Sequence, residues 1–328
     1  MPVEYSESPK IVLSGLIPAY SAEARETLAR SGVPFAVLES EAGDPVEAMV
    51  EAEVLMVAFF KVTADVIARL KRCRTIIRMG VGFDNIDVEA ATGRGITVCN
   101  VPDFCTAEVA DHALSMSLSL ARALPYLDRC VRDGIWKAAQ LRQIPAFSAM
   151  RFGVLGCGRI GRIAIERARA FGFELLACDP YIADGELPAG VRPVSLTDLL
   201  EQSDILSLHV PLTRETERLL NAERLARMKA TAILVNTSRG PVIDLDALVD
   251  ALQSGRLAAA GLDVVEPEPL PLDHPLLALP NVLLSPHYAW HSEESAPRRY
   301  KLAVEEALRA VRGEPLRNSV NGMHPAGR

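Results

Sequence analysis

Six residues, Gly156-Cys157-Gly158-Arg159-Ile160-Gly161, constrain what this chain can fold into more than any other stretch. They separate a short apolar run, Phe152 to Leu155, from an apolar helical pattern, Ile163 to Phe171. Asp179 follows a second apolar run, Phe173 to Cys178, 18 residues past the last glycine. Strand, glycine turn, helix, strand and acid, in that order, describe a dinucleotide site. Gly156 allows the tight turn, Gly158 lets the backbone approach a pyrophosphate, and Gly161 lets the helix pack closely on its sheet. The anion then sits on free N–H groups at the helix start, where Cys157, Arg159 and Ile160 complete the cofactor-binding turn. Asp179 can accept hydrogen bonds from both ribose hydroxyls, whereas a 2′-phosphate there would meet a like charge. The expected cofactor is therefore NAD rather than NADP; Arg192 is basic but too remote in sequence to counter this. Cys157 is either a small filler in the turn or, as a thiol beside a helix N-terminus, a group whose pKa that position can lower and whose oxidation it can favour.

Length and charge set the class around this motif. With 328 residues and 49% hydrophobic content, the chain can form two domains with buried cores. A formal net charge of −7 opposes non-specific binding to nucleic acid or to an acidic membrane surface, so neither partner is expected. No apolar run is long enough to cross a bilayer, and Met1 to Lys10 lacks the basic-then-apolar order of a secretory leader; a cytoplasmic location is expected. Cysteines 73, 99, 105, 130, 157 and 178 show no Cys-x-x-Cys spacing and read as reduced thiols. Among the histidines only His287 and His291 form a metal-like pair, four apart, and no acid or cysteine in sequence supports a zinc site with them, so no metal site is expected.

Two series of alternating apolar runs and helical patterns follow one another along the chain. The first has runs at 11–13, 35–38, 54–59, 75–79 and 96–98 and predicts one small α/β unit. A long pattern from Thr106 to Arg132, apolar on more than one face, predicts a single helix buried on several sides; part of it meets a second subunit, giving a homodimer. The second series has six runs, at 152–155, 173–178, 204–208, 231–235, 258–262 and 282–284, and predicts a complete doubly wound sheet. A last amphipathic pattern, Glu293 to Arg312, returns to the first unit. The expected fold is therefore α/β and two-lobed: a Rossmann doubly wound parallel sheet over 103–296 and a smaller, discontinuous, flavodoxin-like α/β substrate domain over 1–102 and 297–328. A cleft between the lobes is expected to hold the substrate.

Polar residues gather where an open α/β sheet holds its ligand, after the carboxyl ends of the later strands. Thr237-Ser238-Arg239-Gly240 follows one run, the acidic loop Asp263 to Glu268 follows the next, and Ser285-Pro286-His287 follows the last. Hydride transfer to a 2-keto acid needs a cation for the carboxylate and carbonyl and a proton donor for the developing alkoxide. Arg239 offers the planar fork and His287 a pKa near working pH. Glu268 would hold the imidazole and favour its charged form.

Five motifs in order, IIRMGVGFDNID (76–87), VLGCGRIG (154–161), LVNTSRGPVID (234–244), GLDVVEPEP (261–269) and SPHYAW (285–290), resemble those of the D-2-hydroxyacid dehydrogenases over nearly the whole chain. The resemblance implies an NAD-dependent oxidoreductase in which Arg239 binds the substrate carboxylate and carbonyl, His287 is the acid–base and Glu268 is its partner, Glu266 being the decoy in the same loop. It also implies that Asp263 contacts the nicotinamide carboxamide. Backbone near Val81 and Gly82 would receive the carboxylate, and His209, Val210, Pro211, Thr213, Thr237 and Ser238 would line NAD. Formate dehydrogenases, by contrast, pair the histidine with glutamine where this chain has Glu268.

Arg78 and Trp290 resemble the C-terminal-binding protein branch, in which the matching residues contact substrate. That implies a 2-keto acid with a sizeable apolar or thioether tail, such as 4-methylthio-2-oxobutyrate, against an indole wall. Val81 departs from that branch by replacing a serine, and Tyr288 and His291 also differ from it. The same branch supplies the alternative reading, an NAD(H)-sensing dimer with a binding or regulatory role.

Overall fold

The computed structural model describes residues 9–38, 45–136 and 144–323; the first eight residues of the stretch read above for a leader lie outside them, as does His324. The chain divides into two compact units, one made of Met1–Cys105 with His291–Arg328 and the other of Thr106–Trp290.

In the first unit β1 (Ile11–Ser14), α1 (Pro18–Ser31), β2 (Phe35–Leu38), β3 (Val54–Val57), α2 (Ala64–Arg69), β4 (Thr75–Arg78), α3 (Val88–Gly93) and β5 (Thr97–Cys99) alternate along the chain. The five strands pair in parallel in the order β2-β1-β3-β4-β5, the flavodoxin-like order. β1 and β3 are buried at every position, as strands covered by helices on both faces must be. Thr63 and Asp87 cap α2 and α3 by accepting from the N–H groups of Val66 and Ala90.

The second unit opens with α4 (Thr106–Ala121) and α5 (Leu124–Arg132). One helix was expected over 106–132. Ala123, at φ 54°, breaks it, and Pro125, which has no N–H to donate backward, restarts it in the first turn of α5. Then follow β6 (Arg151–Leu155), α6 (Arg159–Arg169), β7 (Glu174–Cys178), β8 (Val191–Pro193), α7 (Leu196–Gln202), β9 (Ile205–Leu208), α8 (Ala222–Ala226), β10 (Ile233–Asn236), α9 (Leu245–Gln253), β11 (Ala259–Leu262) and β12 (Val282–Leu284). These seven strands are parallel, in the order β12-β11-β10-β9-β6-β7-β8. Numbered from β6 that is 3-2-1-4-5-6-7, a doubly wound Rossmann sheet extended by one strand, with its switch point between β6 and β9.

Six strands were expected here, and β8 is the addition. Arg192 and Pro193 break its apolar pattern, and as the edge strand it tolerates a proline that donates nothing to the ladder. Met116 and Leu120 of α4 join Val235 and Ala259 in one core layer, so the helix lies on the sheet next to the carboxyl ends that carry the site. Finally α10 (Ser295–Arg312) returns to the first unit and packs on α1, β3 and β4. Its Tyr300 is fully buried, and the hydroxyl accepts the N–H of Ile17 at 2.8 Å. Among the described residues no helix is long and apolar enough to cross a membrane.

Candidate active site

The glycine turn sits at the switch point. Gly156 takes φ 92°, and a Cβ there would press on the backbone of His209 at 2.8 Å; a Cβ on Gly161 would stand 2.0 Å from the Gly156 carbonyl oxygen. Both positions therefore require glycine. Gly158, the N-cap of α6, has nothing within 4 Å of an added Cβ, so the turn is open at the residue meant to approach a pyrophosphate. Asp179 lies just past β7, where its Oδ2 accepts the Cys157 N–H at 2.7 Å and its Oδ1 the Tyr181 N–H at 2.9 Å. The acid thus fixes the turn. Arg192 is elsewhere, on the β8 edge, bonded to Glu174 and Gln202.

Cys157 corrects an expectation. Its side chain is buried, and burial first, then the Asp179 charge, pushes the thiol up to about 12, so proximity to the helix start does not activate it. All six cysteines are free thiols.

Beyond β9, His209 donates its backbone N–H to Leu155 and its ring meets the Ser207 hydroxyl at 2.8 Å. Desolvation pushes this histidine down to about 4, so it is neutral at physiological pH. Val210 packs beside Gly156, and Pro211 and Thr213 are held by the Thr216 hydroxyl, which donates to the Pro211 carbonyl and accepts the Thr213 N–H.

Beyond β10, the turn carrying Arg239 is shaped by Asn236, which the sequence reading passed over. Its buried side chain donates to the Arg239 carbonyl at 2.8 Å and accepts from the Ser238 N–H and hydroxyl at 3.0 and 2.7 Å. Such a local side-chain turn is what asparagine does well. Thr237 Oγ1 is buried there without a hydrogen-bond partner. An open glycine turn, a ribose-side acid and an orphaned hydroxyl together fit a bound dinucleotide. At Gly240 the next loop comes so close that a Cβ would lie 2.1 Å from the Val265 carbonyl oxygen, which brings Arg239 up to the acidic loop.

Within that loop Glu268 Oε2 meets His287 Nδ1 at 2.8 Å, and Oε1 accepts the Val265 N–H at 3.1 Å. Burial pushes this carboxyl up, but the His287 hydrogen bond and charge, the Val265 N–H and the Arg239 charge outweigh it and hold Glu268 below the usual glutamate range. Glu266 is exposed. His287 adopts φ 54°, a strained conformation for a residue with a side chain, and its N–H donates to the Asp263 and Ser285 carbonyls. Arg239, Glu268 and His287, separated by many residues in sequence, therefore stand together on one sheet end.

Asp263 is buried and accepts from the Ser285 hydroxyl and from the N–H groups of Tyr288 and Ala289. Its carboxylate organises the turn that bears His287. Trp290 follows, its ring 6.0 Å from that of Tyr288 and at 60° to it. Arg78, Val81 and Gly82 belong to the first unit, where the Arg78 guanidinium donates to the Met79 carbonyl and the Val81 carbonyl accepts from Asn100. No group of three or more His, Cys, Asp or Glu side chains among the described residues is arranged to hold a metal ion.

A family model described as D-isomer specific 2-hydroxyacid dehydrogenase, NAD binding domain, matches residues 114–289. The chain is 44% identical over 264 residues to a glyoxylate reductase of Korarchaeum cryptofilum, covering 79% of this chain and 80% of that one. It is 40% identical over 278 residues to a D-3-phosphoglycerate dehydrogenase of Methanocaldococcus jannaschii, covering 84% of this chain but 53% of that one, so it spans about half the length of that relative. Among solved structures, a D-lactate dehydrogenase from Aquifex aeolicus complexed with NAD and lactic acid superposes with a TM-score of 0.83 at 28% identity, covering 95% of this chain and 99% of that one. The chain belongs to the D-isomer specific 2-hydroxyacid dehydrogenases. It is an oxidoreductase of the CH–OH group of hydroxy acids, and its cofactor is NAD.

Proposed function

We infer that the chain reduces a 2-keto acid to the D-2-hydroxy acid. The observation that carries this is the 2.8 Å contact between Glu268 and His287 on the sheet end that also bears Arg239. The turn 156–161, Asp179 and the loops at 209–213 and 237–239 would hold NADH, which when bound would supply the hydride. Arg239 grips the carboxylate and polarises the ketone with its planar fork. Glu268 engages Nδ1 of His287, which leaves Nε2 to deliver its proton to the carbonyl oxygen as that oxygen gains charge. Oxidation of the hydroxy acid runs the same steps backward, with Nε2 taking the proton.

Tyr288 and Trp290, packed edge to face beside the acid–base histidine, form an apolar wall that suits a keto acid with an apolar or thioether tail. The intact acid–base pair supports catalysis over the purely NAD(H)-sensing role. Measuring NADH oxidation at 340 nm across glyoxylate, hydroxypyruvate and 4-methylthio-2-oxobutyrate tests both points. Arg239→Ala is expected to lower kcat/KM by about a thousandfold with NADH affinity within about twofold, since it removes the guanidinium that acts on substrate and leaves the backbone of the 237–239 loop beside the cofactor. Unchanged turnover in that variant would overturn the reading.

The protein is also proposed to work as a homodimer. Leu124, Tyr126 and Val131 of α5, with Ile135 and Trp136 just beyond it, present a run of exposed large apolar side chains, Trp136 at 81% exposure. Patches of this kind mark association surfaces. Light scattering at micromolar protein should give twice the chain mass; a monomer would refute the dimer without touching the chemistry.

A further inference from the structure

His112 is half-buried on α4, well away from every motif in sequence, yet its ring reaches the acid–base turn. Its Nε2 lies 2.9 Å from the Ser285 hydroxyl and 3.7 Å from Asp263 Oδ1. The Ser285 hydroxyl has one proton, and it is given to Asp263. Only lone pairs remain on that oxygen for His112, so the ring must donate from Nε2. Buried Asp263 has its Oδ1 occupied by Ser285 and the Tyr288 N–H and its Oδ2 by the Ala289 N–H. These donors flank His287, whose φ of 54° the turn must hold against its own preference.

We propose that His112 is a positioning residue for the acid–base histidine: it orients the Ser285 hydroxyl, which orients Asp263, which clamps the 285–289 turn. The neighbouring Ala113, Met116 and Leu120 fix α4 in the core layer of the sheet, so His112 references the strained turn to a helix anchored in that core. Losing that reference misaims His287 Nε2 toward the substrate oxygen without removing any group that binds substrate or NADH. The inference rests on the assignment of His287 as the acid–base.

The test combines kinetics with histidine-selective ¹⁵N NMR on the full chain. His112→Leu is expected to lower kcat about tenfold or more, with the keto-acid KM and the NADH Kd within about threefold. His112→Gln, whose amide presents an N–H at nearly the same reach, should recover kcat to within about threefold of wild type. Ser285→Ala should match His112→Leu, and the double variant should be no slower than the slower single one, because both act through one chain of contacts. The NMR spectrum should show a proton on Nε2 of His112, and the His287 ring signals should move in His112→Leu but not in His112→Gln. A wild-type kcat in His112→Leu, a Gln variant as slow as Leu, additive losses in the double variant, or a bare Nε2 would each overturn the proposal. The spectra need no substrate, so a wild-type enzyme that turned over no keto acid would sink the functional reading while leaving the positioning claim to be decided by NMR. Ser285→Ala deletes a single oxygen and serves if His112→Leu folds poorly.

Discussion

Two βα turns, one in each unit, occupy equivalent places and do opposite things. β1 and β6 are each the strand beside the switch point of a parallel sheet, and each runs through a glycine turn into a helix. After β6, the N-cap of α6 is Gly158, with open space where a Cβ would stand. After β1, α1 starts with Pro18 in its first turn, and the N–H of Ile17 is already given to the Tyr300 hydroxyl of α10. A parallel sheet thus offers a ligand place at its switch point, but the residues of one turn decide whether the place is left open or closed by the chain itself.

Putting a carboxylate into the open turn should have the largest effect. Gly158→Asp has room for its side chain yet sets a negative charge against the pyrophosphate; NADH affinity by fluorescence titration should fall about a hundredfold or more with little change in Tm. Retained affinity would mean the turn is not the anion site.

Acid should separate the units next. His209 lies in the second unit, beside the glycine turn, and desolvation pushes its pKa down to about 4 from the ordinary 6.5 of an imidazole. Below pH 6.5 the unfolded chain takes up a proton that the fold resists. Stability present above that pH is therefore lost as pH falls toward 4, by roughly 2 kcal/mol at pH 4.5. Hydrogen exchange should show the 205–213 segment loosening first, and His209→Asn should flatten the fall in Tm between pH 7 and 4.5.

Unplugging the closed turn is a smaller change. Tyr300→Phe strands the Ile17 N–H and should cost about 1 kcal/mol in urea unfolding, with one NADH still bound per chain. A second equivalent of NADH would show that the hydroxyl alone had kept the first unit's turn from binding. Least of all should happen at Cys157: a buried thiol pushed up to about 12 should resist peroxide at concentrations that oxidise exposed thiols, leaving NADH affinity unchanged. Loss of affinity after such treatment would reverse that assignment.

What the sequence made legible follows from where each signal resides. Gly156, Gly158, Gly161 and Asp179 lie on one βαβ stretch, so spacing alone exposes them. Arg239, Glu268 and His287 were found because each follows an apolar run, and strand ends converge in any doubly wound sheet. β8 escaped because an edge strand with Arg192 and Pro193 has no apolar alternation to detect. The break at Ala123 was hidden because helical periodicity continues on both sides of it. His112 was invisible for a different reason: its partner Ser285 is 173 residues away, and nothing in the α4 pattern marks one polar position as facing a loop. Asn236 left a signal in hindsight, a buried amide two residues before a serine at a strand end.

The chain leaves the first unit at Cys105 and re-enters it at His291, which imposes an order on its synthesis. The five strands of that unit are made before the second unit, but the helix that covers β3, β4 and α1 is made after it. Roughly 185 residues intervene, which at about 5–20 residues per second is about 10–40 seconds of translation. The NAD-binding unit, contiguous in sequence, can fold whole during that interval, while its older neighbour waits uncovered for Tyr300 to emerge.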